Sequence, residues 1–275
     1  MEARRRLEAG LPLITDASTA KQLVPAARAL AAAHVAPLRR WPPVAALLLQ
    51  ASIESVEHAT SPLHACWLVN ALAATRALPS CRDAPSKQAI GLRVLFGSMM
   101  QRSHMLEGRQ FEPFLHALCM LLLKFNLVLS KTELQQAAKV FSWAWRDKAP
   151  LSPEINSLLL AAFAHVGIFP HDMYIDRALS AITAAKLPWN ATMMRTVRSL
   201  GQLRVKGVWL DRYQDSYQGP FLLAARRLLE QAIEYVSTMD PESLELLVWS
   251  MASIRMVVQE WKPLKDVLAR CAVGC

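Results

Sequence analysis

The chain has 275 residues, 53% of them hydrophobic and 19% charged, which excludes an intrinsically disordered protein. A membrane span needs roughly 18 apolar residues. The closest candidate, Phe114 to Leu123, is shorter and contains His116, so we predict no span. The net charge of +9 suits an anionic partner such as nucleic acid, although a solvated basic face explains it equally well.

The five cysteines, at positions 66, 81, 119, 271 and 275, show neither zinc-site spacing nor a disulfide pattern. We therefore expect mostly buried thiols in a reducing compartment. The N-terminal stretch MEARRRLEAG is not followed by an apolar core, so it does not predict a secretory signal. Residues 17–53 contain bases but no acid, like an organellar transit peptide. They also fit a pair of ordinary helices, which we favour.

Helix signals occur along the chain, whereas strand signals are almost absent. Ser61-Pro62, Ser152-Pro153 and Asp240-Pro241 each place a capping residue before a proline, the residue favoured in the first helical position. Ser130 and Glu133 form a capping box ahead of another apolar-periodic stretch. The sequence therefore predicts an all-α fold.

Five segments look like copies of one helix, because each begins with proline and then stays apolar. They are 62–79, 113–129, 153–170, 188–205 and 241–258. A break is predicted 13 or 14 residues after each proline, at Arg76, Asn126, Gly167, Gly201 and Arg255. Gly or Asn at three of these positions is typical of the left-handed residue that ends a helix.

A second helix is predicted after each break, at Ser86–Met100, Lys131–Arg146, Met173–Ala185, Pro220–Val236 and Lys262–Ala272. An earlier pair, Ala20–His34 with Pro43–His58, precedes them. Such a hairpin cannot bury its own apolar surface, so neighbouring hairpins must stack. We expect one α-solenoid domain over 1–275 with about six degenerate repeats, approximately 18–58, 60–106, 112–147, 152–186, 187–238 and 240–275.

The stretches LLLAAFAHVGIFP, LVNALAATRALP and LVWSMASIRMVV in the first helices carry a family resemblance. They resemble the octotricopeptide-type repeats of organelle RNA-binding proteins, with an L-x-x-x-A-x-A-x-L-G pattern and a nearby proline. The likeness extends over residues 60 to 272. Two units depart from the pattern: the unit at 113–146 has Leu in place of Ala, and the unit at 188–236 has MMRTVRSLG. The resemblance implies binding to organellar transcripts or ribosomal RNA, without catalysis by the repeats.

The strongest charge feature lies in residues 177–210, which contain six basic residues and no acid: Arg177, Lys186, Arg195, Arg198, Arg204 and Lys206. Arg195 and Arg198 share a helix face, and such cations suit RNA phosphates. A weaker basic band consists of Lys87, Arg93, Arg102 and Arg109, opposed within 87–109 only by Glu107. A solvated face is the alternative for the first cluster and the interpretation we favour for most of the weaker band.

Candidate residues for base stacking are Trp189, Trp209 and Tyr213, because they bracket or follow the basic cluster. For the tryptophans we favour packing in the core, where such side chains are commoner. Asn70 and Asn156 lie in first helices, where related repeats place polar residues that read bases. Hydrogen bonding within the helical layer is the reading we favour for them.

No nucleophile elbow, phosphate loop, dinucleotide fingerprint or zinc-protease motif occurs in the sequence. The carboxylate pairs Asp172/Asp176 and Asp211/Asp215 lack a further ligand, so they predict solvated faces rather than a metal site. We therefore expect no enzyme, no cofactor, no metal and no small-molecule substrate.

We expect an RNA-binding protein of an organelle. The most concrete setting is ribosomal RNA as a structural component of a mitochondrial ribosome, with ribosomal proteins as further partners. A chloroplast is the alternative compartment. The alternative function is a protein–protein scaffold in a large organellar complex, with the apolar excess at its interfaces.

Overall fold

A computed structural model describes Cys66, 68–70, Leu72, 87–103, Leu106, 111–147, 150–168, 170–206, 220–254 and Lys265. All elements within these residues are helical, which confirms the all-α prediction for this part of the chain. The predicted first hairpin, the Ser61-Pro62 helix start and the last predicted helix, apart from Lys265, lie outside the described residues.

Eight α-helices have described bounds. They are α1 (Lys87–Arg102), α2 (Phe111–Lys124), α3 (Lys131–Asp147), α4 (Pro153–Val166), α5 (Asp172–Ala184), α6 (Ala191–Lys206), α7 (Pro220–Ile233) and α8 (Pro241–Ser253). A short 3-10 helix, Val236–Thr238, lies between α7 and α8. The chain divides into two compact units, Met1–Ala137 and Ala138–Cys275, with the boundary inside α3.

In the first unit, α1 packs against α2, whose buried side is made of Phe, Leu, Ala and Cys side chains. Asn126 follows α2 with a φ of 51° and so ends the helix in the left-handed conformation, as predicted. The capping box of α3 is also present. Ser130 N donates to Glu133 Oε2 at 2.6 Å, and Glu133 N donates to Ser130 Oγ at 3.4 Å.

The second unit has two helical layers. The predicted first helices α4, α6 and α8 pack side by side in chain order, and the second helices α5 and α7 pack on each other. Helices α6 and α8 run in the same direction. Ser243 at the start of α8 contacts Met194 near the start of α6, and Trp249 contacts Gly201 further along both helices. Within this unit the first helices therefore form one layer and the second helices another.

Both ends of α4 match the sequence prediction. Ser152 caps the start, where Ile155 N donates to its hydroxyl at 3.5 Å and Pro153 opens the helix. Gly167 ends it with a φ of 70° and an N–H that donates to Phe163 O at 3.0 Å. Ten consecutive residues between these ends, 155 to 164, are buried.

The two predicted boundaries of α6 are wrong. The helix begins at Ala191 rather than near Pro188, because Asn190 is the capping residue: its Oδ1 accepts from Thr192 N and Met193 N at 3.0 Å each. Gly201, predicted as a break, lies inside the helix, which continues to Lys206. The glycine has a different physical role, because the ring of Trp249 occupies the space that a Cβ would need.

Aromatic side chains join the end of α3 to α4 and α5. Trp145 is fully buried and stacks on Phe163, with ring centroids 5.2 Å apart, and on Tyr174 at 6.4 Å. Phe141 meets Phe163 edge to face at 5.7 Å. Aromatic pairs in this geometry stabilise by more than the area they bury, so this cluster strengthens the packing of α3 on α4 and α5.

Candidate RNA-binding surface

The exposed face of α6 brings together two of the predicted cations. Arg198 is exposed and Arg195 is half-buried, and Gln202 follows them on the same face. The opposite side of the helix, which includes Met193, Val197 and Leu200, is fully buried. Arg204 and Lys206 lie in the same helix, but their side chains are outside the described part. The helix has no acidic residue, so its exposed face is cationic.

Arg177 does not join this face. It lies on α5, in the other helical layer, and its Nη1 donates to Trp145 O at 3.0 Å. Trp145 is in the last turn of α3, where carbonyl groups lack helical partners and a cation is favoured. Arg177 therefore stabilises a helix end, and the structure does not gather the predicted cluster into one patch.

Lys186 lies between α5 and α6 and is exposed. Its φ is 47°, and its backbone N–H donates to Thr183 O at 3.1 Å. This is the left-handed position that ends α5, so the backbone of Lys186 has a structural role while its ammonium group remains in contact with water.

Trp189 was a candidate for base stacking, and the structure places it half-buried in the same connection. Its indole Nε1 is buried and has no hydrogen-bond partner within the described part of the chain. The polar edge of this ring therefore faces the protein rather than solvent. Trp209 and Tyr213 lie outside the described residues.

Trp249 on α8 is the aromatic residue that the sequence interpretation missed. Its side chain is 41% exposed, and the Cζ3, Cε3 and Cη2 atoms of its ring lie against Gly201 of α6. Gly201 is three residues after Arg198, so the ring lies about one helical turn along α6 from the backbone of Arg198. The sequence did contain a signal for its exposure. Trp249 lies on the same side of the helix as the charged residues Glu242 and Glu245, and a side that carries charges is expected to face solvent.

Two carboxylates accompany this ring. Glu242 and Glu245 are exposed on α8, and Glu245 lies four residues before Trp249. The surface around the indole is thus asymmetric, with positive charge on the α6 side and negative charge toward the start of α8. An anionic ligand is favoured on the α6 side only.

The secondary basic band in the first unit is partly neutralised. Arg93 Nη2 forms an ion pair with Glu133 Oε2 at 2.8 Å. Burial raises the pKa of Glu133, but the hydrogen bonds from Ser130 and Arg93 outweigh it and hold the pKa below its ordinary value of 4.5. Arg102 is half-buried, the side chain of Lys87 is outside the described part, and Arg109 is outside it altogether.

The two asparagines of the first helices have structural partners. Asn156 is buried; its Oδ1 accepts from Trp145 Nε1 at 2.9 Å, and its Nδ2 donates to Leu151 O at 3.0 Å. Asn70 Oδ1 lies 3.2 Å from His116 Nδ1. Asn70 thus meets a residue of another first helix, as in the favoured interpretation, whereas Asn156 bonds to α3 and to the connection that precedes α4.

The thiols and carboxylates form no reactive centre within the described ranges. No group of three or more His, Cys, Asp or Glu side chains there could hold a metal ion. Cys66 and Cys119 are buried, and burial raises the pKa of Cys66 to about 12, which keeps the thiol protonated and unreactive. No helix in this part of the chain is long and apolar enough to span a membrane.

Comparisons with models of known protein families, with curated protein sequences and with solved structures found no match.

Proposed function

We propose that this protein is an α-solenoid of about six helical hairpins that binds RNA through the exposed face of its first helices. The observation that carries the proposal is α6, a helix of 16 residues without an acid, on which Arg198 is exposed and Arg195, half-buried with its Nη1 inside the protein, lies one turn before it. On one side α8 continues the exposed surface, whereas α4 on the other side is buried from residue 155 to 164. Phosphates that contact such cations release counterions, which favours binding at low salt.

The setting we propose is ribosomal RNA within a mitochondrial ribosome, where the protein would stabilise folded RNA. The support is the net charge of +9 and the resemblance of the first helices to octotricopeptide-type repeats. A chloroplast ribosome or an organellar transcript fits the same features. Binding is sequence-tolerant, because the cations contact phosphates rather than base edges.

The second candidate function is a protein–protein scaffold, and one observation favours it. Ile90 and Val94 lie one turn apart on α1 and are 57% and 45% exposed. An apolar pair on one exposed face suits a protein contact.

Titration of RNA binding with salt separates the two functions. We expect affinity for a structured ribosomal RNA fragment to fall steeply with salt, and Arg195→Gln/Arg198→Gln to weaken binding and flatten the dependence. Wild-type protein that binds no RNA at low salt would contradict the RNA function and leave the scaffold. Under the scaffold function, Ile90→Asp/Val94→Asp would instead abolish copurification with protein partners.

A further inference from the structure

Among the tryptophans whose side chains the structure describes, Trp249 is the most exposed, and its ring lies in the space left by Gly201. Trp145, by comparison, is 1% exposed and lies between Phe163 and Tyr174. At Trp249 the benzene side of the indole lies against the α6 backbone, where even one methyl group at position 201 would collide with it. Indole geometry then directs the Nε1 edge away from Gly201. A ring held in this way loses little entropy when a ligand covers it.

We propose that Trp249 is a stacking site for one unpaired RNA base, with Arg198 at the adjoining phosphate. The inference rests on the proposed function and adds the ligand class, single-stranded RNA. Aromatic rings accept any base, because every base presents a π face, whereas a base inside a duplex cannot reach a side chain on a helix surface.

The charges next to the ring set the path of the strand. Glu245 lies one turn before Trp249 on α8 and repels a phosphate, while Arg198 lies one turn before Gly201 on α6 and attracts one. The sugar–phosphate backbone therefore passes on the α6 side of the indole, and the base covers the ring. Glu245→Gln is expected to tighten binding of single-stranded RNA about twofold at low salt.

Two probes of equal length test the base contact: an oligouridylate of about ten nucleotides and the same ribose–phosphate chain without bases. We expect Trp249→Ala to bind the oligouridylate roughly 5- to 150-fold more weakly and the abasic chain as wild type does. Trp249→Phe should recover most of the affinity for the oligouridylate that Trp249→Ala loses, since phenylalanine retains a smaller aromatic ring. Gly201→Ala, which displaces the ring without removing it, weakens oligouridylate binding in the same selective way.

Helical circular dichroism and the urea midpoint of each variant show that it is folded. Equal binding of oligouridylate by wild type and a folded Trp249→Ala would overturn the stacking site. Equal weakening of both probes would also overturn it, because the ring would then act through the fold. The proposed function survives both outcomes if Arg195→Gln/Arg198→Gln weakens both probes. Wild-type protein that binds neither probe nor the ribosomal RNA fragment overturns the function and the site together.

Discussion

Helices α4 and α6 are neighbours in one layer, yet they differ in how much of their surface is buried. In α4, ten of 14 residues are buried, and the sequence signals at both ends are the ones the structure uses. In α6, one side is equally buried, but the other presents Arg198 to solvent, with Arg195 half-buried one turn before it. Two neighbouring helices of one layer thus differ, because α4 supplies core and α6 also supplies surface charge.

The two helices also differ in the role of their glycines. Gly167 follows α4 at a φ of 70°, where it ends the helix. Gly201 lies within α6 and is not among the described residues with positive φ; it leaves room for Trp249. A glycine in a helical pattern can therefore mark a helix end or a close approach, and only the neighbouring helix distinguishes them.

The largest effect is expected from the core side of α4. Phe163→Ala removes a fully buried ring that contacts Trp145 and Phe141, and it should lower the free energy of unfolding by about 3–5 kcal/mol. Arg198→Ala on the exposed face of α6 is the contrasting variant and should change it by about 0.5 kcal/mol or less. Urea unfolding measures both. Similar losses in the two variants would contradict the division between core helix and surface helix.

The next effect concerns Gly201. Gly201→Ala forces the ring of Trp249 to move and should destabilise the protein by about 1–3 kcal/mol, despite the better helix propensity of alanine. Gly97 in α1 is the matched control, since a Cβ there meets nothing within 4 Å, so Gly97→Ala should stabilise by about 1 kcal/mol. Thermal unfolding of the two variants should therefore shift in opposite directions. A stabilising Gly201→Ala would show that Trp249 does not depend on the glycine.

Smaller effects are expected at the helix starts. Asn190→Ala removes the acceptor of two N–H groups of α6 and should cost about 1 kcal/mol. Ser152→Ala at the start of α4 should cost less, because its one hydrogen bond is 3.5 Å long and Pro153 already favours the helical φ. The urea midpoints of the two variants show which of them loses more stability. The reverse order would mean that the caps do not act through these hydrogen bonds.

The smallest effect is a pH dependence of stability that arises at the start of α8. Its capping residue is an aspartate, which titrates, whereas the caps of α4 and α6 are a serine and an asparagine. Ser243 donates its N–H to Asp240 Oδ1 at 2.9 Å and its hydroxyl to Oδ2 at 2.8 Å, which lowers the pKa of Asp240 below its ordinary 3.8. The stabilisation is therefore present above pH 3.8 and lost as the pH falls through the lower folded-state pKa. Asp240→Ser should flatten the loss of stability in acid. An unchanged acid profile would exclude this contribution.

Local signals predicted much of the fold. The Ser130–Glu133 box, the Pro153 start and the left-handed Asn126 and Gly167 each involve residues within a few positions of one another. Such contacts join residues at a fixed spacing in the sequence. The presence of each of these helices, and most of their ends, could therefore be predicted.

The candidate site could not be predicted in the same way, because it depends on contacts between helices. Arg177 lies in the right charge cluster, but its partner is a carbonyl of α3, 32 residues away. Trp249 contacts Gly201 from another hairpin, and nothing in the spacing of either helix shows that they meet. The cationic face of α6 was predictable from the sequence, but the residues that lie beside it depend on how the helices pack.

The most direct measurement compares two pairs of arginines by the salt dependence of RNA binding. Arg195 and Arg198 lie in the first-helix layer, whereas Arg226 and Arg227 lie exposed on α7 in the second. Each double change to Gln removes the same charge. With oligouridylate, the α6 pair should lower the slope of log affinity against log salt by about 1.4, while the α7 pair leaves it nearly unchanged. Equal reductions would contradict binding through the first-helix face, since net charge alone would then account for it.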